Sequence, residues 1–228
     1  GKTRLSLQAS TDLIDEFPDG VWFIQLAPIS DASLVPQAVA SVWNVHEQPG
    51  RSLSELLIEY IHTKHLVLIL DNCEHVVEAC ARLADELLHN APNLKILATS
   101  RVTLNLAGEM TYPVYPLALP DPQKLIPLTA LTQYEAVRLF IERAITVRPA
   151  FSVTNANAPS VAQICQNLDG IPLAIELAAA RIRTLSPDQI AARLGDRFNL
   201  LTRGVRTALP HQQTLRATMD WSYELLPE

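Results

Sequence analysis

The chain has 228 residues, enough for one large domain or two modest ones with their own cores. Apolar residues make up 48% and charged residues 18%, a globular composition rather than a disordered one. The net charge of -6 and the lack of any Lys/Arg run longer than two residues argue against a nucleic-acid groove in this segment.

Leu5, Ala9, Leu13 and Phe17 form an i, i+4 stripe that predicts an opening helix, stopped by Pro18-Asp19-Gly20. Val21–Ile24 is aromatic and β-branched and predicts a buried strand. Two helical stripes follow, Leu34 to Val42 and Leu53 to Ile61. Leu66–Leu70 is apolar at every position, as in a strand covered on both faces of a parallel sheet. A helix over about Val76 to Asn90, a strand at Lys95–Thr99 and a last strand at Met110–Tyr115 complete an alternating pattern, which implies a doubly wound α/β sheet.

After Tyr115 the pattern changes. Pro116, Pro120, Pro122 and Pro127 suit an extended linker, and the rest reads as helices. Thr132-x-x-Glu135 has the form of a capping box. Gly170 is placed as a left-handed helix terminus, Pro172 starts the next helix, and Ser186-Pro187 caps another. The organisation expected is 1–119, an α/β domain; 120–131, a linker; 132–204, an all-α domain; and 205–228, the start of a further domain. Both ends read as cut, the first inside a loop and the last inside a helix.

No apolar run is long enough to span a bilayer and no signal peptide is visible, which places the chain in the cytoplasm without membrane contact. Cys73, Cys80 and Cys165 show neither pairing nor metal spacing and read as reduced core or loop thiols.

Three segments carry chemistry. Gly1-Lys2-Thr3 precedes a helix, as in the phosphate-binding loop, where Lys reaches the β/γ-phosphates and Thr binds Mg²⁺. Alone, the tripeptide is equally an ordinary helix start. Asp71 closes a buried strand, where ligands bind in open α/β sheets; it would hold Mg²⁺ or cap the next helix. Arg101 follows the next strand on the same edge and either faces a γ-phosphate or is a surface side chain.

Together with Leu70-Asp71-Asn72-Cys73-Glu74-His75, Ala98-Thr99-Ser100-Arg101 and Asp169-Gly170-Ile171-Pro172-Leu173-Ala174, these segments resemble bacterial STAND ATPases. Those are P-loop signalling ATPases related to the NB-ARC switch, and the similarity is greatest to those of multidomain transcriptional regulators. Glu176–Arg181, Thr214–Ala217 and Asp220–Tyr223 extend the resemblance over nearly the whole chain.

The resemblance implies a P-loop parallel sheet whose first strand is missing, then a helical domain and the start of a winged helix. It implies that Gly1, Lys2, Thr3 and Arg4 bind adenine nucleotide, ATP or ADP. Thr3 and Asp71 would hold Mg²⁺, Arg101 would meet the γ-phosphate, and Pro172 would pack on adenine. Asp71, Asn72, Glu74 and Arg101 would be the catalytic set. Asn72 stands where many relatives carry an acid. An amide can position water but cannot take its proton, so slow hydrolysis is expected. His75 reads as a helix-start residue rather than a base.

The implied function is an ATP/ADP switch coupled to sensor repeats and a DNA-binding domain elsewhere in the protein, with nucleotide-dependent self-association. A kinase or motor ATPase and a nucleotide-free scaffold are the competing readings. The resemblance also implies a sheet order of 5-1-4-3-2. Val21–Leu26, Leu66–Leu70 and Lys95–Thr99 would then form a parallel set with Lys95–Thr99 at an exposed edge. Met110–Val114 would be separated from it by a gap of roughly 9–10 Å, two strand spacings.

Overall fold

The computed structural model describes residues 1–121 and 127–201, with side chains described as far as residue 194. The expected winged-helix start, 205–228, lies outside these residues. The chain divides into two compact units, the first Lys2–Val114 and the second running on from Tyr115.

The first unit contains α1 (Lys2–Leu13), β1 (Val21–Gln25), α2 (Val35–Val42), α3 (Leu53–Ile61), β2 (Leu66–Asp71), α4 (Val77–Asn90) and β3 (Leu94–Thr99). The strands form a parallel sheet in the order β1-β2-β3. Every residue of β2 is buried, which explains its unbroken apolar run: a central parallel strand has no wet face. Leu66, Leu68 and Leu70 join one core with Val35 and Val39 of α2, Leu57 and Ile61 of α3, and Cys80, Leu83 and Leu87 of α4. Val67 and Ile69, which alternate to the other face, are buried as deeply. The parallel set and the edge position of β3 are therefore as the sequence predicts.

Three local expectations fail. The stripe on α1 does not face a core: Leu5 is 47% exposed, and Ser6 is the helix's one buried residue. Instead Ser6 and Ser10 bond back to the carbonyls of Thr3 and Ser6 at 2.8 and 2.6 Å. Met110–Tyr115 forms no strand, so the predicted gap has no strand on its far side. Pro113 removes a backbone donor in that stretch, and Met110 and Tyr112 stand 95% and 80% exposed. A true capping box lies elsewhere, at Ser52 and Glu55 opening α3. At the predicted box, Thr132 bonds back to the Thr129 carbonyl, and Glu135 accepts from the Ala118 N–H at 3.1 Å.

The second unit packs α5 (Leu128–Leu131), α6 (Glu135–Val147), α7 (Ala158–Asn167), α8 (Pro172–Ala180) and α9 (Pro187–Leu201). Its core includes Val137 and Phe140 of α6, Ile164 of α7, Ile175 of α8 and Ile190 of α9. Ser186 and Gln189 cap α9 reciprocally, as expected. The segment Leu117–Pro120 is strapped to these helices. Leu117 N–H donates to Gly170 O at 2.9 Å, Ala136 N–H to Ala118 O at 3.3 Å, and Gln166 Nε2 to Pro120 O at 2.9 Å. Asp169 and Gly170 both have positive φ, 50° and 66°. A Cβ on Gly170 would lie 2.3 Å from Leu117 O, so both the turn and the strap require glycine there.

Candidate functional site

The C-terminal ends of the parallel strands collect polar groups that the apolar strands cannot hold internally. In register, Gln25, Asp71 and Thr99 close β1, β2 and β3 side by side. Asp71 is 3% exposed and Thr99 7%, which is deep for polar side chains and demands partners. They supply one another: Thr99 Oγ1 donates to Asp71 Oδ1 at 2.6 Å. Asn72 N–H in turn donates to Thr99 Oγ1 at 3.0 Å.

The other carboxylate oxygen faces the start of α1. Thr3 Oγ1 donates to Asp71 Oδ2 at 3.1 Å across 68 positions of sequence. Two segments singled out independently in the sequence are thus joined. Lys2 is the first residue of α1, a helix of 12 residues with no acidic side chain in its first turn. Free N–H groups and the helix dipole favour an anion at such an end.

Asn72 turns the chain with φ of 67°, left-handed backbone that asparagine tolerates better than most residues. Glu74 Oε1 lies 3.0 Å from Arg101 Nε, with the Arg side chain 60% exposed. His75 Nε2 reaches the carbonyls of Ile29 and Leu26 at 2.8 and 3.1 Å, and its Nδ1 lies 3.3 Å from Asn72 Nδ2. Below them Cys73 donates to the Leu70 carbonyl, and its contact with Cys80 together with burial holds its thiol protonated. That environment suits a filler, not a nucleophile.

Among the described residues no three His, Cys, Asp or Glu side chains stand together as a metal cage. A Mg²⁺ ion does not need one, because it keeps several waters and takes one or two protein oxygens plus phosphate. The Asp71 carboxylate and Thr3 hydroxyl, already in contact at a helix start, fit that donor set.

Thr3, Asp71, Asn72, Glu74 and Arg101 are thus linked to this edge by described contacts or by direct chain continuity. Gly1, Lys2 and Arg4 flank Thr3. Pro172 opens α8 in the second unit. The sequence assigned no role to Thr99; its signal was a polar residue closing the strand after the apolar run Ile96-Leu97-Ala98. The bridging role of His75 had no sequence signal, since its partners lie 46 and 49 residues away.

No family model matches the chain. All 228 residues align at 46% identity with a Mycobacterium tuberculosis protein named "Putative HTH-type transcriptional regulator" and equally with a Mycobacterium bovis protein of the same description. A second Mycobacterium tuberculosis protein, named only as uncharacterized, is 41% identical over 226 residues. The chain spans 24% of the length of the first relatives and 54% of the last. Among the described residues no helix is long and apolar enough to cross a membrane.

Proposed function

We propose that the first unit is a Mg²⁺-dependent ATP/ADP-binding switch module within a longer transcriptional regulator, of the STAND type that the sequence resembles. The observation that carries the reading is the Thr3–Asp71 hydrogen bond. It unites a Gly-Lys-Thr helix start with a strand-end carboxylate, the two protein oxygens that nucleotide-bound Mg²⁺ would take. The regulator context is supported by the name of the 46%-identical relatives, which cover the whole of this chain.

In this reading the N-terminus of α1 and Lys2 receive the phosphates, with Gly1 and Arg4 beside them. Thr3 and Asp71 hold Mg²⁺, whose charge offsets that of the phosphates. Arg101, paired with Glu74 in this structure, meets the terminal phosphate. Hydrolysis forms a bond from water oxygen to the γ-phosphorus and breaks the bridging P–O bond. The water proton passes to phosphate or solvent, because Asn72 can accept a hydrogen bond but not a proton. Turnover is accordingly slow, and the module acts as a switch. Driving such a switch from mostly off to mostly on takes about 5.5 kcal/mol of differential affinity.

The test is calorimetry of Mg-ATP and Mg-ADP binding to the full-length protein, wild type against Lys2→Ala and Asp71→Ala. Loss of tenfold or more in affinity for both variants is expected. Equal ATP affinity for Lys2→Ala and wild type overturns the reading.

A further inference from the structure

His75 stands outside the roles assigned above, yet its ring closes a loop of bonds at the strand ends. Leu26 N–H donates to Asp71 O at 3.0 Å, which fixes the chain where it leaves β1. His75 Nε2 faces the carbonyl of that same Leu26 at 3.1 Å and the carbonyl of Ile29 at 2.8 Å. Carbonyl oxygens can only accept, so Nε2 carries the hydrogen. In the neutral ring Nδ1 then carries the lone pair.

That lone pair determines what Asn72 can present. Nδ1 lies 3.3 Å from the Asn72 carboxamide and requires a donor, so the NH₂ group faces the imidazole. Oδ1 is left on the other side. The Asn72 backbone is held separately, by its left-handed φ and by its N–H bond to Thr99 Oγ1 at 3.0 Å. With the amide seated against the imidazole, His75 decides which of its two ends faces the ring.

We propose that His75 is a positioning residue that locks the Asn72 carboxamide with Oδ1 available as a hydrogen-bond acceptor for the attacking water. The inference rests on the nucleotide reading above. An attacking water needs its lone pair for phosphorus. A partner that accepts its O–H leaves that lone pair free, whereas an N–H donor would engage it. A flipped amide has almost the same shape and the opposite polarity. Carbonyls at the end of β1 thus set the polarity of a group at the end of β2, with the imidazole as intermediary.

The experiment uses the full-length protein with His75→Gln, whose amide can still donate toward Leu26 and Ile29 but offers no acceptor where Nδ1 sits. On the scale of one neutral hydrogen bond, kcat should fall about three- to tenfold while Mg-ATP affinity stays within about twofold. In an Asn72→Asp background both carboxylate oxygens accept, so the same change should cost less than about twofold. A purely structural role predicts equal losses in both backgrounds, which would overturn the proposal. Nitrogen-15 NMR of histidine-labelled, nucleotide-free protein supplies a readout apart from activity, with His75→Gln identifying the signals. Protonated Nε2 and bare Nδ1 are expected, and the reverse tautomer overturns the proposal. If that tautomer is found but wild type neither binds nor hydrolyses ATP, the nucleotide reading fails and the positioning role falls with it.

Discussion

Arg101 Nε and Glu74 Oε1 are 3.0 Å apart, so the cation assigned to a terminal phosphate is already engaged by a carboxylate three residues beyond the end of β2. The Arg side chain is 60% exposed and Glu74 22%, a pairing that water screens and that contributes little stability. It is therefore cheap to exchange. Arg101→Ala should reduce the preference for ATP over ADP about tenfold or more, the scale of a charge-assisted bond to phosphate. Glu74→Gln should leave ADP affinity unchanged and raise ATP affinity. Calorimetry on the full-length protein with both nucleotides decides it, and an unchanged ATP/ADP ratio in Arg101→Ala counts against the assignment.

Thr99 serves two partners at once, donating to Asp71 and accepting from the Asn72 N–H. Thr99→Val keeps the shape and removes the Thr99 bonds to Asp71 Oδ1 and to the Asn72 N–H, leaving Asp71 with its bond from Thr3. The expected cost is about 1–3 kcal/mol of stability in the first unit, with weaker Mg-nucleotide binding. Thr99→Ser should restore most of both. Urea unfolding followed by tryptophan fluorescence is a suitable measurement, since Trp22 and Trp43 pack in or against that core. A Val variant as stable as wild type would show that the network matters little.

Asn72 sets a ceiling on turnover. The wild-type rate should lie well below typical enzyme values of about 10 s⁻¹. Asn72→Asp or Asn72→Glu should change the hydrolysis rate more than nucleotide affinity, because the substitution alters what can take a proton and not what holds phosphate. Single-turnover kinetics beside equilibrium binding separates the two. A wild-type rate near the typical value contradicts the expectation.

Gly170 is fixed by backbone, whatever Pro172 does next to it. A Cβ would sit 2.3 Å from Leu117 O at a φ of 66°. Gly170→Ala should destabilise the second unit by at least about 2 kcal/mol, combining left-handed strain with displacement of the Leu117 strap. A melting temperature equal to wild type would mean the strap is not held as described.

The Ser52–Glu55 box gives a pH dependence of known sign. The backbone N–H and hydroxyl of Ser52 hold the Glu55 carboxyl below its ordinary range. A lowered folded-state pKa contributes stability above the unfolded value, about 4.3, and that contribution is lost as pH falls toward the folded value. The stability difference between wild type and Glu55→Gln should therefore shrink as acid is added through that range. A difference that is constant with pH would show that Glu55 is not held this way.

The sequence by itself determined β2, because a central parallel strand must be apolar on both faces and Leu66–Leu70 is apolar throughout. It also determined that Asp71 closes that strand and that a helix follows Gly1 closely, since both follow from local pattern; the helix takes in Lys2 and Thr3 rather than starting after them. Tertiary structure decided the rest. Only the register of β2 with β3 places Thr99 against Asp71, and only the fold brings His75 to carbonyls 46 and 49 residues earlier. The same dependence explains the failures. The stripe on α1 has the period of a buried face, but no core packs on it among the described residues. Met110–Tyr115 has strand-like residues, but Pro113 removes a ladder donor and no described strand pairs with it. Thr132 and Glu135 have the spacing of a capping box, but the Glu carboxylate is taken by Ala118. Period and spacing are properties of one segment, whereas a buried face, a ladder and a hydrogen bond each require a second segment in place.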